Sequence, residues 1–180
     1  MQTPHATTLL VDDFSDPRHA SNGHHWRFFS DAVMGGVSEG YARHETVAGR
    51  PSMHLMGEVS LEHNGGFIQM ALDLAEEGKE LDASHCSGIA ATVLGDGGRY
   101  AVNLRSSDVR RPWQSYRCEF KSRDSWTTYH LPFEAFLPHR IACPLAPDKL
   151  RRVGLIAIGR PGRAELAVSR LEFYRQSQSA

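Results

Sequence analysis

Arg99-Tyr-Ala-Val-Asn-Leu-Arg-Ser106 alternates apolar and polar side chains without a break. A period of two marks a β-strand with one face against a core. It assigns Tyr100, Val102 and Leu104 to the core face and Arg99, Ala101, Asn103 and Arg105 to the other. Downstream, Tyr116, Cys118 and Phe120 alternate in the same way with Arg117, Glu119 and Lys121. Working outward, strands are expected at Thr8 to Phe14, Trp26 to Ser30, Gly40 to His44 and Phe67 to Leu72. Further ones are expected at Ser87 to Leu94, Trp126 to Leu131, Val153 to Ile158 and Glu165 to Tyr174. Gly35-Gly36, Asn64-Gly65-Gly66, Asp96-Gly97-Gly98 and Pro161-Gly162 punctuate them. No amphipathic helix of three turns is present; Ala71 to Leu81 and Phe133 to Leu137 have room for short helical turns only. The expectation is an all-β chain, a single-domain jelly-roll β-sandwich over residues 1–180. Gln176 to Ala180 reads as a flexible tail.

Composition agrees. The 180 residues suffice for one domain with its own core. Hydrophobic residues make up 41% and charged residues 23%, which excludes a disordered chain, a collagen and a coiled coil. No apolar run reaches the ~20 residues of a membrane span, so no membrane insertion is expected. The net charge of -1 speaks against nucleic acid as a partner. The first residues lack the pattern of a secretory or transit peptide, and three cysteines make no disulfide framework; both point to a cytoplasmic location. Charge is uneven. Residues 1–98 hold 5 basic and 14 acidic side chains, and residues 99–180 hold 15 and 7. Interleaved strands would bring the halves together and neutralise them.

Gly36-Val-Ser-Glu-Gly40 matches the nucleophile elbow of a serine hydrolase. The elbow needs a strand turning into a helix, and the following YARHETVAGRP has no helical face. Ser38 is therefore not expected to be catalytic, and no enzyme activity is expected. The ten histidines show no ligand spacing, so no metal site is expected. Asp12, Asp13 and Asp16 cluster without a calcium-loop pattern. Glu58 and Glu62 are a weak glycosidase pair, because that role depends on a separation in space. Phosphate-binding glycine motifs are absent, so no cofactor is expected. Arg105 to Arg123 interleaves six cations with Trp113, Tyr116 and Phe120. Arginines between aromatics suit sugars or protein carboxylates.

Two stretches stand apart: Trp26-Arg-Phe-Phe-Ser-Asp-Ala-Val-Met-Gly-Gly-Val-Ser38 and Gly57-Glu-Val-Ser-Leu-Glu-His-Asn-Gly-Gly-Phe67. Tandem glycines imply a positive φ or a close approach of backbone. By chemistry alone, Asn64-Gly65-Gly66 reads as a hairpin turn. Together the two stretches resemble the complex I intermediate-associated protein family, the thirty-kilodalton type associated with assembly of NADH:ubiquinone oxidoreductase. The resemblance continues through Tyr100, Leu104, Arg105, Tyr116, Trp126, Pro132-Phe133, Gly154 and Gly159 to Glu172-Phe173-Tyr174, and so covers residues 14–174. His63 stands where many members carry a second Asn. The resemblance implies a galactose-binding-like sandwich and a non-enzymatic, chaperone-like role in assembling another complex.

The functional expectation is a binding protein that engages a protein partner through its two Gly-Gly loops. Respiratory-complex subunits or assembly intermediates are the partners the resemblance implies. The partner-binding residues are Trp26, Asp31, Met34, Gly35, Gly36 and Ser38 on the first stretch. Glu62, Asn64, Gly65 and Gly66 supply the second. Reversing the Asp31 charge is expected to weaken capture with little change in melting temperature. The alternative is a carbohydrate-binding module that holds a glycan with Asn103, Arg105, Trp113 and Tyr116.

Overall fold

The computed structural model describes residues 8–176. The strands are β1 (Leu9–Asp12), β2 (Arg27–Ser30), β3 (Glu39–Val47), β4 (Arg50–Val59), β5 (Phe67–Asp73) and β6 (Gly88–Gly95). They continue with β7 (Arg99–Ser106), β8 (Ser115–Lys121), β9 (Thr127–Pro132), β10 (Leu137–His139), β11 (Leu150–Ile158) and β12 (Gly162–Tyr174). All pairings are antiparallel. One sheet runs β3-β4-β12-β6-β9, with β1 paired to the far end of β12; the other runs β10-β8-β7-β11-β5-β2. The all-β sandwich expected from sequence is present, with short 3-10 turns the only helical elements among the described residues. None of them is long and apolar enough to cross a membrane.

Period-two alternation builds the core. From the first sheet come Leu55, Ile89, Val93, Leu166, Val168, Leu171 and Phe173; from the second come Ile68, Met70, Tyr100, Leu104, Tyr116 and Leu155, all essentially inaccessible. The thirteen-residue β12 keeps its apolar side chains inward past a register shift between Val168 and Arg170. One extra residue there moves the inward set from even to odd positions. β11 does the same between Leu150 and Arg152.

Four local expectations are corrected. β4 was not foreseen: Ala48 and Gly49, at φ 44° and 81°, make a two-residue reversal from β3. The three-residue β10 also went unread. Ala71 to Leu81 holds no helical turn; β5 runs to Asp73 and irregular chain follows. Asn64-Gly65-Gly66 is not a hairpin turn but part of the passage from β4 in one sheet to β5 in the other.

Candidate functional site

A single carboxylate joins the two glycine stretches. β2 ends at Ser30, whose hydroxyl accepts the Ala32 N–H and starts a 3-10 turn over Asp31–Met34. Asp31 is fully buried. Its Oδ1 accepts the Ser38 N–H at 2.9 Å, and its Oδ2 accepts from the Ser38 hydroxyl and from the Gly66 and Phe67 N–H groups. Ser38 Oγ in turn accepts the Ser60 N–H at 2.9 Å. Burial alone would raise the Asp31 carboxyl; the Ser38 hydroxyl and the Gly66, Ser38 and Phe67 amides outweigh it and hold it below the usual carboxylate value. The glycines follow from this. A Cβ at Gly36 or Gly65 would overlap the Asp31 carboxylate.

Asp31 is therefore placed beneath the surface it organises. Its charge reversal would introduce an amine among four donors, so a fall in melting temperature, not indifference, is the outcome its burial leads us to expect. Ser38, 4% exposed and followed by β3 rather than a helix, sits in the same knot. Val33, Met34, Gly35, Glu62 and Asn64 remain exposed on it. Trp26 lies away from it, before β2. Its Nε1 donates to Asp12 at 2.8 Å and its ring packs on Phe14. Asp12 also accepts from Phe14 and Ser21, while Asp13 and Asp16 accept from Ser15 and Arg18. Among the described residues no group of three or more His, Cys, Asp or Glu side chains is placed to hold a metal ion.

Beside the knot lies a groove of about 500 Å³ on the outer face of the second sheet. Met34, Asn64, Gly65 and Gly66 form its β2–β5 side, and Trp113 and His139 stand on the β8–β10 side. Asn103 and Arg105 line the floor from β7, Arg117 from β8, and Arg152, Gly154 and Ile156 from β11. The two glycine stretches and most of the alternative ligand set thus share one depression. Tyr116 does not. Its ring faces the core, fully buried, and its hydroxyl donates to the Cys143 carbonyl at 2.9 Å.

The floor has its own polar layer. Gly154 lies directly opposite Asn103 on the ladder. A Cβ there would stand 2.8 Å from Gln69 Oε1, so glycine leaves the space in which Gln69 accepts from Asn103 Nδ2 at 3.0 Å. Asn103 Oδ1 is the one buried side-chain nitrogen or oxygen among the described residues without a partner. Burial with Arg152 and Arg151 nearby lowers Arg105; burial and Arg140 lower Arg117. Burial with Arg117 and Arg140 also lowers the His139 imidazole. Gln69, Arg117, His139, Arg140 and Arg152 were not singled out as site residues from sequence. For Arg117 the signal was there, in its outward phase against Tyr116.

The architecture is a two-sheet antiparallel, galactose-binding-like jelly-roll β-sandwich with a groove on one outer face. The comparisons agree on the fold. The chain is similar to the family 11 carbohydrate-binding module from Clostridium thermocellum, solved with a mixed-linked tetrasaccharide. The TM-score is 0.72 at 14% identity, covering 96% of this chain and 98% of that one. It is similar to a family 30 carbohydrate-binding module, with a TM-score of 0.63 at 11% identity, covering 99% and 92%. It also matches part of an agarase, with a TM-score of 0.64 at 10% identity, covering 96% of this chain and 25% of that one. No curated protein sequence matches the chain. Residues 13–168 match the family model of complex I intermediate-associated protein 30, and the chain belongs to that family.

Proposed function

We propose that this chain is a non-enzymatic assembly protein that holds a partner protein of a respiratory complex in the groove beside Asp31. The observation that carries the reading is the Asp31 knot. It fuses two sequence-distant loops into one rigid wall, with Met34 and Asn64 exposed on it. Family membership supports the assembly role. Met34 supplies an adaptable apolar contact and Asn64 a hydrogen-bonding one. A photo-cross-linking residue in place of Met34, activated in native cells, tests this. Respiratory-complex subunits or assembly intermediates are the expected adducts, and fractionation of the same cells tests the cytoplasmic location. Recovery of no protein at stoichiometric yield sinks the reading.

A second reading is favoured by Trp113, half exposed at the groove beside Arg105 and Asn103. There the groove holds a glycan. Sugar-dependent quenching of tryptophan fluorescence, lost in Trp113→Ala, would support it; a flat titration with mixed-linked glucan oligosaccharides would count against it.

A further inference from the structure

The outer faces of the two sheets differ in how completely charge is paired: Arg27, Arg99 and Arg152 of the second sheet have carboxylate partners, but three arginines at its groove do not. On the first sheet, Arg43 pairs with Glu45 at 3.1 Å, His54 lies between Glu45 and Glu165, Arg163 meets Glu165 and Arg170 meets Glu172. The groove on the second sheet is lined by Arg105, Arg117, Arg140, Arg152 and His139, and by no carboxylate among the described residues. Arg152 is balanced by Asp73 at 2.8 Å, which also holds Arg27. For Arg105, Arg117 and Arg140 no carboxylate of the described residues comes within ion-pair distance. Arg105 has only a long 3.4 Å bond to the Arg111 carbonyl, and Arg117 only Ser115 Oγ at 3.2 Å. The basic excess of the C-terminal half is thus neutralised elsewhere and left standing here.

We infer that the groove takes an extended acidic segment of a partner protein, its carboxylates on the Arg105 and Arg117 guanidiniums and its apolar side chains against Met34 and Trp113. This rests on the reading of the groove as the partner site. Guanidiniums without a carboxylate present a fork that matches one. Floor residues come from β10 across to β5, four inter-strand gaps or about 19 Å, the length of about six extended residues. A peptide fits better than a sugar chain. Trp113 has Arg111 over its ring at 6.0 Å, which takes a face that a sugar would stack on, and the apolar lining at the margins comes from Val33, Met34, Phe67 and Pro112. Arg, Met and Trp are the residues that protein interfaces concentrate.

The test uses the intact chain and a fluorescein-labelled peptide of about twelve residues, with glutamate at alternate positions and leucine near each end. Its glutamine twin and an oligogalacturonate are the comparison probes. The glutamate peptide is expected to bind at least tenfold tighter than its twin, and to weaken as salt rises from 50 to 200 mM. Arg105→Gln with Arg117→Gln should lose about tenfold in affinity with an unchanged melting temperature. Arg163→Gln with Arg170→Gln, on the other sheet, should lose nothing. Equal binding of the two peptides overturns the proposal, and so does tight binding of the oligogalacturonate without the peptide. Photo-cross-linking through position 34 separates the two readings. Capture that survives Arg105→Gln with Arg117→Gln keeps the groove as partner site but removes the acidic segment. Failure of the unsubstituted arginine chain to capture any protein removes the partner site itself.

Discussion

Asp31 and Asn103 are both buried polar side chains, one in the wall of the groove and one in its floor. Asp31 receives four donors from its own chain. Asn103 satisfies its amide on Gln69 and leaves its carbonyl oxygen without a partner. An unmet buried acceptor costs about 1–3 kcal/mol. The wall is therefore organised for stability, while the floor leaves one acceptor without a partner from the chain itself. Polar layers of that kind collect where something else is recognised.

The comparison can be broken most directly at Asp31. Asp31→Asn keeps the shape but turns an amide N–H₂ toward donors, and should cost about 3 kcal/mol. At this chain length that lowers Tm by roughly 10 °C in a thermal melt. An unchanged Tm would remove the knot from the account. The sign of its pH dependence follows from the depressed carboxyl. The Asp31 contribution is fully present above the ordinary value of 3.8 and is lost as pH falls through the lower folded value. The stability gap between wild type and Asp31→Asn should thus hold from neutral pH to about pH 5 and shrink below the ordinary value. Urea melts across that range would measure it.

At the floor the expected effect is smaller and has the opposite sign. Gln69→Leu with Asn103→Leu removes both amides and the unmet oxygen, and should raise stability by about 1 kcal/mol. Peptide or glycan binding in the groove should fall in the same variant. A loss of stability there would show that the amide pair is structural after all. The smallest effect is at His63, which sits at φ 55° and ψ 38° in the second loop. Asn tolerates this left-handed region better than most residues. His63→Asn should shift stability by no more than about 0.5 kcal/mol, in the stabilising direction, without altering the knot, read from the urea midpoint.

Much of this was legible in the sequence, for identifiable reasons. The strand with strict alternation from Arg99 to Ser106 was placed to the residue, and the alternating stretch from Tyr116 to Lys121 fell one residue short of β8. β4 was missed because Pro51, His54 and Gly57 blur its pattern and Ala48-Gly49 lacks the Asn-Gly signature of its turn. The glycine stretches were marked as special, and the overlap of Cβ positions with Asp31 now gives the reason. What sequence could not give was direction. A conspicuous Asp between glycines looked like a surface donor or acceptor, and it points inward. Tyr116 was placed in the ligand set although its own alternation had already put it on the core face. Arg152 escaped notice because the register shift after Leu150 hides its phase.

The order of strands has a consequence for how the chain is made. β11 is the central bond of one sheet, between β7 and β5, and β12 is that of the other, between β4 and β6. Both are synthesised last among the twelve. From Ser106, the end of β7, to Leu150, the start of β11, a ribosome needs roughly 2–9 s, during which β4, β5, β6 and β7 all wait without their middle partners. The two halves of the groove floor are first brought side by side when β11 arrives. A nascent chain of this protein has strand edges open before it has a binding face, and it gains that face only as translation reaches its C-terminal strands.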